Sequence, residues 1–99
     1  MSTIVVRYTA KADRADENQE LIEAVFAELA DTDPGGVRYA SFRLADNTFV
    51  HIADVDAEPN PLGAIAAFGR FQAEIGDRCE AGEGPNPQEA TLVGSYGFA

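Results

Sequence analysis

The stretch "VRYASFRLADNTFVHIADV", residues 37 to 55, decides how this chain folds. Two runs rich in β-branched and aromatic residues, 37–44 and 48–55, flank the short polar segment Ala45-Asp46-Asn47. Such a pattern predicts a β-hairpin, because Asp and Asn accept tight-turn geometry at little cost while the flanking runs suit a half-buried sheet. The hairpin also carries His51, the only histidine of the chain.

Working outward, "TIVVRYTA" (3–10) reads as a strand, and "ADENQELIEAVFAELAD" (15–31) places Leu21, Ile22, Val25, Phe26 and Leu29 on one helical stripe. Asp16 with Gln19 three residues later resembles a capping box. "DPGG" (33–36) stops that helix. After the hairpin, "EPNPLGAIAAFGRFQAEIGDRCE" (58–80) predicts a second helix with Asn60 as N-cap and Pro61 at its first position. "AGEGPNPQE" (81–89) reads as a loop on composition, and "ATLVGSYGF" (90–98) as a last strand. The order β-α-β-β-α-β is the ferredoxin-like α+β arrangement, a four-stranded antiparallel sheet with usual strand order 4-1-3-2, over one domain spanning 1–99.

Composition excludes several functions. The 99 residues carry a net charge of −10, which argues against nucleic acid and anionic membrane partners. A single cysteine, Cys79, and a single histidine make a metal site within one chain improbable and no cofactor is expected. Cys79 itself reads as a buried, inert thiol. No apolar run approaches the ~20 residues of a membrane span, and the N-terminus shows no signal-peptide pattern, so a cytoplasmic location is expected.

Alternation divides each strand between two faces. Grouping the more apolar sets, Ile4, Val6 and Tyr8 with Ala40, Phe42 and Leu44 and with Val50 and Ile52, predicts the side beneath the helices. Arg7, Tyr39, Ser41, Arg43, Phe49, His51 and Ser95 then share the helix-free side, in a mixture too apolar to stay wet. A homodimer interface enclosing a pocket fits that mixture. His51 would be its catalytic residue, as base or hydrogen-bond donor, with a structural interface histidine as the alternative. Arg7, Tyr39, Ser41, Arg43, Phe49 and Ser95 would bind the ligand, a small aromatic or anionic molecule.

The segments "ENQELIEAVFAEL" (17–29), "GGVRYASFRLADNTFVHIADV" (35–55) and "AFGRFQAEI" (67–75), in this order, resemble the antibiotic-biosynthesis monooxygenase (ABM) family of dimeric α/β-barrel proteins. The resemblance covers nearly the whole chain and rests on spacing and residue type. It implies two sheets brought together into a barrel, and cofactor-independent oxidation of small aromatic, phenolic or polyketide-like substrates. Many relatives carry a histidine early in the second helix, where this chain has Ala66 and Ala67. Haem-degrading relatives need a tryptophan, a first-strand asparagine and a second-helix histidine. This chain has no tryptophan and has Arg7 on the strand, which disfavours haem. The alternative function is a non-catalytic ligand-binding or structural homodimer of the same fold.

Overall fold

A computed structural model describes residues 2–97. Strand β1 (Ser2–Thr9) leads into helix α1 (Ala15–Thr32), followed by the hairpin β2 (Val37–Arg43) and β3 (Thr48–Val55). A 3-10 turn (Pro61–Ala64), helix α2 (Ala66–Gln72) and the short α3 (Ile75–Arg78) precede the last strand, β4 (Asn86–Ala90). The strands form one antiparallel sheet in the order β2-β3-β1-β4. This is the ferredoxin-like arrangement, with β1 and β3 at the centre. No helix among the described residues is long and apolar enough to cross a membrane.

Local chemistry sets the boundaries. The hairpin turns on Asn47, whose φ of 66° is left-handed, while the Asp46 carboxylate accepts a hydrogen bond from the Thr48 amide at 3.1 Å. Helix α1 ends at Asp33, also left-handed, whose N–H closes onto the Leu29 carbonyl at 2.8 Å before Pro34 forbids another turn. Gly36 (φ 79°) allows the chain to pass Ala57, since a Cβ at that position would collide with the Ala57 methyl.

Three expectations about the elements themselves need correction. Asp16 and Gln19 form no capping box: α1 starts without a side-chain cap, and both residues instead receive the Arg43 guanidinium. The second helical segment is broken. Asn60 does cap, accepting from the Leu62 amide at 2.9 Å, but Ile65 turns extended. The helix resumes with its first amides, Ala66 and Ala67, bonded to the Glu28 carboxylate of α1 at 3.1 and 2.9 Å. Finally, β4 is residues 86–90, all but Ala90 inside the expected loop, and 91–97 form no strand. At the sheet edge, pairing with β1 supplies the backbone hydrogen bonds, and Pro87 is tolerated there. Phe98 lies outside the described residues.

The largest correction concerns the hairpin's faces. Directly paired residues of an antiparallel sheet share a face. Tyr8 pairs with Phe49, Val6 with His51, and His51 with Ser41. Phe49, His51, Tyr39, Ser41 and Arg43 therefore lie with Ile4, Val6 and Tyr8 on the side the helices cover. The expectation for β1 holds, and both strands of the hairpin are inverted relative to it. Arg7 remains on the open side, and so do Ala40, Phe42, Val50 and Ile52. The core between the layers contains Tyr8, Ile22, Val25, Phe49, Leu62, Ile65 and Phe71. Each such burial is worth about 1.5–3 kcal/mol. Cys79 is also buried there, its thiol pushed up by loss of solvent.

Candidate functional site

Between sheet and helices lies a cavity of about 370 Å³. Its floor is Ile4, Val6 and Tyr8 of β1, Tyr39 of β2, and His51, Ala53 and Val55 of β3. Phe68, Phe71, Gln72 and Ile75 from the helical layer and Leu62 of the 3-10 turn form the roof. The volume falls within the range of small-molecule sites. The lining is predominantly apolar and aromatic. Tyr8, His51 and Tyr39 meet on the sheet side, and Asn60 and Gln72 add polar groups elsewhere in the lining.

The rings hold one another. Tyr8 stacks between Phe49 (centroids 5.6 Å) and His51 (5.4 Å), Phe26 stacks on Tyr39 (5.0 Å), and Phe71 tilts over His51 (5.3 Å). Such pairs add to area burial and restrict each ring's orientation.

His51 is 3% exposed, and both ring nitrogens are engaged. Nε2 lies 2.9 Å from the Tyr8 hydroxyl, while Nδ1 lies 2.6 Å from Ser41 Oγ and 2.9 Å from Tyr39 Oη. Burial disfavours the imidazolium and pulls the His51 pKa down to about 4, so the ring is neutral at pH 7. Burial likewise raises both phenols. Asn18 opposes that rise at Tyr8, and a hydrogen bond from Ser41 opposes it at Tyr39.

Behind Tyr8 the network continues inward. Asn18 Nδ2 donates to the Tyr8 oxygen at 2.8 Å, and Arg78 Nε donates to Asn18 Oδ1 at 3.0 Å. The Arg78 guanidinium, 2% exposed, also donates to the carbonyls of Ala73 and Phe71 and lies 5.7 Å from the Phe71 ring centroid. Backbone carbonyls, an amide oxygen and a π-face thus replace water around a buried cation.

The expected site residues divide accordingly. His51 and Tyr39 line the cavity, and Ser41 touches His51 from beneath. Phe49 supports Tyr8 from the core rather than the lining. Arg43 lies at the edge: its guanidinium covers Phe49 and bonds Asp16, Gln19 and Asn47 at 2.7–3.0 Å. It joins the hairpin to α1 and does not reach the cavity lining. Arg7 is exposed on the opposite side of the sheet, and Ser95 is exposed in the segment after β4. The expectation that His51 shares a helix-free side with Arg7 is therefore overturned, while its place beside Ser41 and Tyr39 holds. Tyr8, Asn18 and Arg78 belong to the network and were not expected there. One sequence signal exists for Asn18, which stands four residues before Ile22 and seven before Val25 on the buried stripe of α1. Among the described residues no three His, Cys, Asp or Glu side chains gather in a way that could hold a metal ion.

Comparison with solved structures locates this architecture. A candidate antibiotic biosynthesis monooxygenase from Nitrosomonas europaea superposes with a TM-score of 0.71 at 15% identity, covering 94% of this chain and 99% of that one. SnoaB, a cofactor-independent oxygenase from Streptomyces nogalater, matches with a TM-score of 0.65 at 18% identity, covering 97% and 96%. Rv0793 from Mycobacterium tuberculosis gives 0.67 at 12% identity over 95% and 96%. The chain has the ABM fold. No protein-family model matches the sequence, and no curated protein matches it. At these identities the ABM likeness is one of architecture, and it extends over nearly the whole chain.

Proposed function

We propose that this ABM-fold protein binds a small aromatic molecule in the sheet–helix cavity and oxidises it with dioxygen without a cofactor. The observation that carries the reading is an aromatic-walled cavity of about 370 Å³ in which the hydrogen-bonded groups Tyr8, His51 and Tyr39 meet on the sheet side. The fold shared with SnoaB, itself a cofactor-independent oxygenase, supports the same reaction class. In such a reaction the substrate is its own reductant. A ring CH₂ that enolises through the ring toward a carbonyl of the same ring loses two hydrogens and gains one oxygen atom as C=O, while the second oxygen of O₂ leaves as water. The step that needs help is formation of the electron-rich enolate. His51, with its pKa near 4, is a weak base at neutral pH, so its contribution is hydrogen bonding to the developing oxyanion through its hydroxyl partners.

One observation favours a second reading. Both nitrogens of His51 already have partners, which also suits a binding protein that performs no reaction. Oxygen uptake with anthrone, a tricyclic ketone bearing such a CH₂, separates the two. The oxygenase reading expects protein-dependent uptake with anthraquinone as product, reduced at least tenfold in Tyr39→Phe, the scale of one lost hydrogen bond to a charged oxygen. Tight anthrone binding with no uptake above the buffer rate would favour the binding protein.

The open sheet face supports a homodimer. Phe42 (41% exposed) and Ile52 stand there with Val5 and Val50, and Leu92, Val93 and Tyr96 project into solvent beyond β4. Closing two such faces into a barrel would cover them. Light scattering at micromolar concentration should give twice the mass of the chain, and a monomer there would refute the dimer.

A further inference from the structure

The hydrogen-bond network has a direction, and the direction is fixed from its buried end. A guanidinium can only donate, so the atom of Asn18 that faces Arg78 Nε must be the amide oxygen. The Asn18 amide nitrogen is then the atom that faces Tyr8, and the Tyr8 oxygen accepts from it. The proton of the Tyr8 hydroxyl has one acceptor left among the described residues, Nε2 of His51 at 2.9 Å. Leaving a buried hydroxyl proton without an acceptor costs about 1–3 kcal/mol. Nε2 is therefore the unprotonated nitrogen, and a neutral ring must carry its proton on Nδ1. Nδ1–H points at Ser41 Oγ, the shorter of its two contacts at 2.6 Å. A protonated Nδ1 cannot accept from Tyr39, which leaves the Tyr39 proton for the cavity that Tyr39 lines.

We infer that Arg78 and Asn18 are positioning residues that hold His51 in its Nδ1–H form, so that Tyr39 offers an O–H donor and the cavity selects ligands with an acceptor oxygen at that end. The donors run in one sense from Arg78 through Asn18, Tyr8 and His51 to Ser41, and Tyr39 stands beside Nδ1 with its proton turned to the cavity. A ketone or an enolate accepts that proton. A hydrocarbon of the same shape leaves it unsatisfied. This rests on the cavity being a ligand site, but the state of His51 does not.

With a single histidine, the imidazole ¹⁵N spectrum is unambiguous. Two-bond ¹H–¹⁵N correlations at pH 7 should show Nδ1 protonated and Nε2 bare. Asn18→Asp is nearly isosteric and keeps the acceptor for Arg78, but its carboxylate accepts from Tyr8 instead of donating to it. The Tyr8 proton should turn toward residue 18 and the His51 proton should move to Nε2. An Nε2–H ring in the native protein, or a tautomer unchanged in a folded Asn18→Asp variant, overturns the inference. The ligand half is tested with 9-fluorenone and fluorene, which share a tricyclic frame and differ by one carbonyl oxygen. Fluorenone should bind about tenfold more tightly, and Tyr39→Phe should remove the difference. Equal binding of both probes by the native protein overturns the selection for an acceptor. If neither probe binds, the cavity reading fails, and the ¹⁵N spectrum still decides the role of Arg78 and Asn18.

Discussion

Phe49 and Phe42 are the same residue type on adjacent strands of one hairpin, and they meet opposite fates. Phe49 is 1% exposed, stacked on Tyr8 and covered by Arg43, whereas Phe42 is 41% exposed on the open side. The polar residues beside them reverse the usual expectation. His51, Ser41 and Tyr39 go inward with Phe49, while Arg38 and Asp54 form their ion pair on the side of Phe42. Polarity alone did not choose the buried face. Neutral side chains that complete one another's hydrogen bonds can be buried at small net cost, and a charge pair with one exposed partner stays near water.

The comparison is broken most directly by truncating the two phenylalanines. Phe49→Ala should cost about 3–5 kcal/mol of unfolding free energy, as a fully buried aromatic does. Phe42→Ala should cost under about 1 kcal/mol at concentrations where the chain is monomeric. Urea unfolding of both variants checks this, and equal losses would mean that both faces are packed within one chain.

A second effect comes from acid. The folded-state pKa of His51, about 4, lies below the ordinary 6.5, so as pH falls the unfolded chain takes up the proton first. The stability that the neutral ring contributes is fully present above pH 6.5 and is lost between 6.5 and 4, on the order of 3 kcal/mol. His51→Gln should flatten the fall in urea midpoint across that window relative to the native protein. Parallel curves would show that the ring titrates normally in the folded state.

The smallest effect belongs to Arg43. Its guanidinium is partly exposed at the edge and bonds Asp16, Gln19 and Asn47 outside the cavity. Arg43→Ala should lower stability by about 1 kcal/mol or less and leave fluorenone affinity unchanged. A tenfold loss of affinity would restore it to the ligand site.

The element order was legible because each signal was local: the stripe of α1, the Asp46-Asn47 turn and the Asn60 cap all concern neighbours in sequence. The faces of the hairpin were not. Alternation relates residues within a strand and says nothing about which set meets the helices. Ala40, Phe42, Val50 and Ile52 looked as apolar as their counterparts. Extending both strands to their ends would have added Val37 and Val55 to one set and Arg38 and Asp54 to the other. Strand β4 escaped notice because its side chains are nearly all exposed and its stability comes from backbone pairing with β1. The inner network was hidden for a different reason. Asn18 and Arg78 stand 60 residues apart, and only tertiary packing makes one the acceptor of the other.

The central claim is that His51 lies between the sheet and the helices. Nuclear Overhauser contacts from its ring protons test this without a ligand, since no other histidine can be confused with it. The structure predicts strong contacts to the rings of Phe71 and Tyr8, whose centroids lie 5.3 and 5.4 Å away. Contacts to the side chains of Val5 and Arg7 in their place, with none to Phe71, would put His51 on the open face and contradict the account.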